Sequence, residues 1–454
     1  MKRCQLIFLQ VTLLGVAILL GDSATPAVTP EEAGQLGTTL TPLGAEKAGN
    51  ENGSIPAWTG GYTMPIPGDT PGGRRGDPFK DEKPLFSIDS TNMEQYADKL
   101  TDGVKALLKK YPDTYRVDVY ETHRTAAAPQ WLYDNTFKNA TRARLNGDVP
   151  EGAYGGIPFP IPKSGAEVIW NHLLRWRGTS WQYTATQYQL TAEGQQVMST
   201  DAVFDFQMPY YFQEGNADEF AKSGEYWMLH NINVGPPSHV GEAVVARRNL
   251  SGDSQNWLYL PGQRRVRKLP DGCCDILVDG TEGMLFYDEL ETWSGRIDRF
   301  DWKLVGKKEM YIPYNNNRLL QPKTDAEVMS KHFLNPDYVR WELHRVWVVD
   351  ASLRQGLRHR APRGRYYCDE DSWDCVLADR WDANGQLWRT VWSQVLVAPD
   401  MPGTIDFVMG FTDLVSGAAF VGNLHNAKPS QIRRMPRYPD RVFTPDALAG
   451  EGVR

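Results

Sequence analysis

Between Val339 and Val397 the chain alternates apolar and polar residues in runs broken by short turns of Asp, Asn and Gly, and no other feature restricts its fold as much. Val339-Arg340-Trp341-Glu342-Leu343 alternates residue by residue, and Trp347 and Val349 continue the apolar side beyond Arg345. Arg365 to Tyr367, Asp374 to Arg380 and Gln386 to Val397 follow, separated by Asp369-Glu370-Asp371-Ser372 and Asp382-Ala383-Asn384-Gly385. A period of two puts alternate side chains on opposite faces of a strand. Strands joined by turns this short pair with their neighbours antiparallel, as a meander.

The same signal recurs upstream. Trp181 to Thr200 is dense in Tyr, Thr, Gln and Val, Trp257-Leu258-Tyr259-Leu260 stops at Pro261-Gly262, and Lys308 to Tyr314 reads as another strand. Three helices are expected: Met93 to Leu108 behind a Ser90 or Thr91 cap, a second from Ser164 through Leu173, and a third from Asp325 to Phe333, ending before Pro336. There is no strand–helix–strand alternation and no fixed-period repeat. The fold class is therefore α+β, one large antiparallel sheet with a few helices covering a face.

The first residues carry a different pattern. Lys2 and Arg3 precede a stretch from Leu6 to Leu20 that is apolar except for Gln10, Thr12 and Gly15, and small or polar residues follow from Asp22 to Pro26. That order is a secretory signal, with cleavage after Ala24 or Ala27, and it predicts a periplasmic product. An uncleaved anchor is the alternative, but the apolar run is shorter than the ~20 residues of a membrane span. We expect a signal peptide over 1–24, a Gly/Pro-rich arm over 25–90 packing on the body, and a single domain over 91–454. A net charge of −7 excludes electrostatic binding of nucleic acid by the chain as a whole.

Removal of Cys4 leaves Cys273, Cys274, Cys368 and Cys375, and three pairings stay open in an oxidising compartment. No C-x-x-C pair exists and the eight His are scattered, so no metal or cofactor is expected. Nucleophile-elbow, zinc-protease and phosphate-loop motifs are absent, and no catalytic residue is assigned. Glu342 and His344 could form an acid–base pair, but a solvated polar strand face is the expectation, as a solvated hairpin tip is for Asp369, Glu370, Asp371 and Asp374. His239 has no obvious partner.

Wide antiparallel sheets curl, and a curled sheet with a helix over its mouth leaves an apolar hollow. The candidates to line one are Trp257, Tyr259, Met284, Phe286, Met310, Ile312, Val339, Trp341, Leu343, Trp347, Trp388 and Trp392, each of which could instead be plain core. The densest basic run supplies Arg264, Arg265, Arg267 and Lys268, candidates for contact with anionic head groups or a partner's acidic patch, or simply an exposed strand end.

Long segments resemble a bacterial family. Residues 36–50 (Leu-Gly-Thr-Thr-Leu-Thr-Pro-Leu-Gly-Ala-Glu-Lys-Ala-Gly-Asn) and 53–61 (Gly-Ser-Ile-Pro-Ala-Trp-Thr-Gly-Gly), then Trp257 to Pro270, Asp301 to Asn316, Trp341 to Val349 and Asp369 to Trp373, are similar to domain-of-unknown-function family 1329, whose members are labelled outer-membrane lipoprotein-sorting-like. The resemblance implies a fold like that of the periplasmic lipoprotein carriers, a half-open barrel with apolar lining and helical lid, and association with exporters of the resistance–nodulation–division type. Cys273-Cys274 and the Cys368/Cys375 pair depart from the family pattern. The expected function is non-enzymatic binding of a lipid or other hydrophobic molecule in the periplasm, with peripheral or no membrane contact. A glycan or polymer hydrolase and an envelope scaffold are the alternatives. A closed apolar hollow favours carriage, and an open polar cleft with paired acids favours hydrolysis.

Overall fold

A computed structural model of the chain describes residues 28–69, 72–252, 254–269, 274–278, 280–428 and 432–451, so the expected signal peptide and Cys273 lie outside the described residues. Two consecutive meanders make up the sheet. The first is β1 (Ser180–Leu190), β2 (Gln196–Gln207), β3 (Glu225–Gly235), β4 (Ala243–Asn249), β5 (Gln255–Leu260) and β6 (Arg265–Leu269). The second is β7 (Phe300–Pro313), β8 (Trp341–Leu353), β9 (Arg363–Asp369), β10 (Cys375–Trp381), β11 (Leu387–Ala398), β12 (Gly403–Asp413) and β13 (Ala419–Leu424). They join where β13 pairs with β1, Ala419 opposite Leu190, and all of these neighbours are antiparallel. The spatial order is β7-β8-β9-β10-β11-β12-β13-β1-β2-β3-β4-β5-β6, with the short strands Phe86–Ile88, Val117–Val119 and Arg433–Arg434 added alongside.

A sheet this wide bends, because strand twist accumulates and each bulge bends it further. Register shifts interrupt the ladders at Leu304/Gly306, Gln394/Val395, Gln187/Tyr188 and Asp201/Ala202. The barrel does not close, since β6 and β7 remain unpaired edges. These edges are consecutive in sequence, so the segment between them must cross the sheet. Its described part, 274–278 and 280–299, forms a strap over one face. Gln189 of β1 donates to the Thr281 carbonyl (3.3 Å), Glu291 N–H donates to Met409 Sδ of β12 (3.3 Å), Arg380 of β10 pairs with Asp288 (2.9 Å) and Arg389 of β11 with Glu289 (2.5 Å).

Helices occupy what remains: α1 (Asp102–Lys110), α2 (Gln130–Arg142), α3 (Gly165–Leu173), α4 (Ala217–Ser223) and α5 (Pro445–Glu451). The Ser164 start is as expected, with a reciprocal cap between Ser164 and Glu167. Gly165 lets α3 lie flat on β7 and β8, because a Cβ there would stand 2.8 Å from the Trp302 carbonyl. The helix expected over Met93 to Leu108 is instead a 3₁₀ segment, Met93–Lys99, followed by α1. Leu100 is buried and extended, and Thr101 accepts from Val104 N–H (3.1 Å) to cap a new start. The third expected helix shrinks to one 3₁₀ turn, Asp325–Val328. Asp325 is buried and accepts from Asn426 N–H (2.9 Å), and Met329 leaves the turn to bridge Leu334. The polar helix α2 was not anticipated. It is fixed by buried Asn139, which donates to the Gly156 and Ile157 carbonyls (3.0 and 3.1 Å).

One apolar core runs from Leu43 to Ile432 and includes Ile55, so part of the Gly/Pro-rich N-terminal segment packs within it. Cys368 and Cys375 are bonded across β9 and β10, which excludes the crosswise pairings; Cys274 is also disulfide-bonded. No described helix is long and apolar enough to cross a membrane.

Candidate functional site

Between the strap and the β13-to-β5 half of the sheet lies a hollow with a cavity volume of about 110 Å³, open to solvent at its mouth. Its wall follows from strand alternation. Phe204 and Phe206 of β2, Trp227, Leu229, Asn231 and Asn233 of β3, Val244, Ala246 and Arg248 of β4, and Asn256 and Leu258 of β5 are spaced by two, so all point to one face. Register aligns them in rungs: Phe204 opposite Asn231, Asn231 opposite Val244, Val244 opposite Leu258; then Phe206, Leu229, Ala246 and Asn256. The strap contributes Val278, Tyr287, Leu290 and Glu291, and Tyr183, Met409 and Asn423 complete the wall. Aromatic rings form one side, with Tyr183 stacked on Phe204 (4.7 Å) and Phe206 edge-on to Trp227 (5.3 Å).

The two ends of the hollow differ in charge. At one end Asn233, Glu242, Gln187 and Thr200 form a polar rim, and His239 bridges Glu242 (3.0 Å) to Glu282 of the strap (3.1 Å). Burial would lower the His239 pKa, but those two carboxylates outweigh it and hold the imidazole above its usual value. At the other end Arg248 lies 4.1 Å over the Trp227 ring, near Glu291. Burial would raise the Glu291 pKa, yet Arg177 (2.7 Å), Arg175 (3.4 Å) and Arg248 hold it well below the usual carboxylate range. Arg175 also pairs with Asp406 (2.5 Å) and with Asp374, whose pKa is driven well upward by burial and by Asp406. His172 of α3 fastens the strap by donating from Nε2 to the carbonyls of Glu291 (2.9 Å) and Trp293 (3.1 Å).

Residues 87–449 match the family described as a protein of unknown function, DUF1329. The chain belongs to this family. An uncharacterized protein of Pseudomonas aeruginosa is 38% identical to it over 444 residues, 96% of each chain. Among solved structures, a putative outer membrane lipoprotein-sorting protein domain from Vibrio parahaemolyticus is similar over 63% of this chain and 98% of its own, at 14% identity and a TM-score of 0.44. A DUF1329 family protein from Desulfovibrio piger covers 60% of this chain and 92% of its own, at 14% identity and TM-score 0.41. A LolA superfamily protein from Nitrosomonas europaea covers 63% and 100%, at 11% and 0.37.

In this DUF1329 member, none of the twelve aromatic and aliphatic candidates is among the residues lining the large hollow. Trp257 and Tyr259 are on the opposite face of β5, packed with Met228, Val245, Phe443 and Leu448 under α5. Met310, Ile312 and Leu343 are core, Phe286 lies buried on the strap beside Arg389, and Met284 packs partly buried against the core. Trp347 is half-buried beside Lys307 and Trp373, and Trp388 donates to Asp413 (2.8 Å). Val339, Trp341 and Trp392 come together with Val104, Leu107 and Phe333 around a second, smaller hollow of about 30 Å³. Arg264, Arg265, Arg267 and Lys268 stand exposed on and beside edge strand β6.

Two polar expectations are corrected. Asp369, Glu370, Asp371 and Asp374 are not a solvated tip; all four are buried. The N-terminal segment covers them, with the Leu43 carbonyl accepting from Trp373 Nε1 (2.8 Å), and cations neutralise them: Arg124 forks onto Asp371 (2.8 and 2.7 Å) and Lys307 meets Glu370 (2.7 Å). Glu342 and His344 are not a solvated face either. His344 lies between Glu342 (3.1 Å) and Asp369 (3.3 Å), and although burial disfavours its charge, Asp369 and Glu342 raise its pKa to about 9. His344, Asp369 and Asp371 converge within 4.8 Å, a spacing a metal could use. A protonated imidazole and an Arg fork already occupy those lone pairs, so the cluster is an ion-pair network that anchors β8 to β9.

Proposed function

We propose that the chain binds a lipid or other hydrophobic molecule in the hollow between the strap and β1–β5, and shields it in transit through the periplasm without a covalent step. The observation that carries this is a concave wall of Phe204, Phe206, Leu229, Val244, Leu258 and Met409 around space left unfilled. An alkyl chain exposed to water costs about 0.8 kcal/mol per CH₂, and such a wall removes that cost. Hydrolysis would ask for two free carboxylates across a cleft. The two acids in the wall are engaged, Glu291 by Arg177 and Glu242 by His239. On this reading the basic residues of the β6 edge, Arg264, Arg265, Arg267 and Lys268, meet anionic head groups or the acidic patch of an exporter that receives the cargo.

The test is extraction of the purified chain with organic solvent, followed by lipid mass spectrometry, alongside titration with a fluorescent fatty acid. Stoichiometric lipid and saturable uptake are expected. A protein that carries no lipid and takes up no probe overturns the reading.

A further inference from the structure

Arg248 is an unusual residue to find in the wall of an apolar hollow. It is 7% exposed, and no ion pair among the described residues involves it. The nearby carboxylates are committed elsewhere: Glu291 to Arg177 and Arg175, Asp406 to Arg175. Asp374 is likewise committed to Arg175, so no described carboxylate at this end is left to form an ion pair with Arg248.

The neighbouring polar atoms point the same way. Trp227 Nε1 and Asn256 Nδ2 are buried side-chain donors without a hydrogen-bond partner among the described residues, on residues 3% exposed that line the hollow. Trp227 is directly opposite Arg248 across the β3–β4 ladder, and Asn256 is opposite Ala246, two residues along the same face. A buried unmatched donor costs roughly 1–3 kcal/mol, so two beside a cation that has no ion pair among the described residues are expensive unless something accepts from them. Donors without acceptors, next to such a cation, describe the complement of an anion. From Arg248 the inward face of β4 runs through Ala246 and Val244 to Glu242 at the polar rim, roughly 20 Å of strand at about 3.4 Å per residue. Apolar wall fills the interval, and the rim ends in a carboxylate that repels a second anion.

We infer that the hollow selects an amphiphile with one anionic head group, carboxylate or phosphate, seated on Arg248, Trp227 Nε1 and Asn256 Nδ2, with its alkyl chain along Leu229, Val244 and Leu258. This rests on the proposed function and deepens it by naming the chemical class of the ligand. The head group is read by charge-assisted hydrogen bonds, which carry more discrimination than added methylenes do.

The experiment compares four probes of equal chain length on the full chain at neutral pH, each below its micelle concentration: dodecanoate, dodecyl phosphate, dodecanol and dodecyltrimethylammonium, by calorimetry or displacement of a fluorescent fatty acid. Both anions should bind at least about tenfold more tightly than the alcohol, and the cation most weakly. The ratio of dodecanoate to dodecyl phosphate tells a fatty-acid head from a phosphate head. Arg248→Gln should bring the anions to within about twofold of the alcohol. Asn256→Asp, which keeps shape and adds negative charge, should weaken the anions more than the alcohol. If dodecanol matches the anions on the unsubstituted chain, or Arg248→Gln keeps the anion preference, the head-group assignment is wrong and the hydrophobic site stands. If none of the four binds, the hollow itself is not a ligand site and both readings fall.

Discussion

Ala246, where the main core meets the hollow, offers a way to close the hollow from its wall. It is 4% exposed, its side chain faces the cavity between Leu229 and Asn256, and its neighbours in sequence, Val245 and Arg247, face the other side. Ala246→Trp places an indole in the empty space, level with the second rung. If it displaces about four methylenes of a bound chain, at about 0.8 kcal/mol each the loss is about 3 kcal/mol, on the order of 200-fold in Kd. Because the indole enters existing space, the substitution should leave the folded state as stable as the parent or slightly more so. Val245→Ala is the matched control. Val245 is fully buried in the opposite apolar cluster with Tyr259 and Phe443, so this change should cost on the order of 2 kcal/mol of stability and leave ligand affinity alone. Titration with a fluorescent fatty acid reads affinity, and circular dichroism through a urea series reads stability. A correctly folded Ala246→Trp that binds within threefold of the parent would show that ligand does not sit beside β4, and the reasoning from strand parity to cavity would fail.

Two further perturbations test the frame rather than the ligand. Asp379 is buried, accepts from Gly103 N–H (3.0 Å) at the start of α1, and is raised to a pKa of about 7 by burial and by Asp102. The folded chain therefore binds this proton more tightly than the unfolded one, whose Asp titrates near 3.9, and stability falls as pH rises between about 4 and 7. Asp379→Asn should remove that slope, with urea midpoints equal to the parent near pH 4 and higher near pH 8, by up to about 4 kcal/mol at 1.36 per unit; a midpoint below the parent near pH 8 would contradict it. Replacing Cys368 and Cys375 together by Ser opens a crosslink between residues 7 apart in sequence, which should cost about 2.5 kcal/mol by loop entropy, read as a lower urea midpoint with unchanged probe binding. An unchanged midpoint would mean the ion pairs around Asp369 and Glu370 already hold that hairpin.

How far the fold is legible in the sequence depends on where the information sits. The meander from β8 to β11 is written locally, in alternation and in Asp/Gly turns, and so is the start of α3 in Ser164 and Glu167. The site is not, for a reason visible at β5. Alternation finds two faces but not which one is inward, and here both are covered, Trp257 and Tyr259 by α5 and the segment before it, Asn256 and Leu258 by the strap. The large side chains Trp257 and Tyr259 mark the face of β5 that packs under α5, while the face towards the hollow carries Asn256 and Leu258 there and Ala246 and Val244 on β4. A usable signal was present in Phe204 and Phe206 flanking Asp205, and in Arg248 standing two residues beyond Ala246 on the same strand face. The acidic hairpin tip misleads by the same logic in reverse. Asp369 to Ser372 is a solvated turn by every local criterion. What buries it is Arg124, 247 residues from Asp371, and a segment that ends up beneath Trp373, 330 residues from Leu43. Charge in this chain is placed by distant partners, which is why Arg248, a buried cation with no ion pair among the described residues, is informative: it is the position at which the proposed head group would supply the counter-charge.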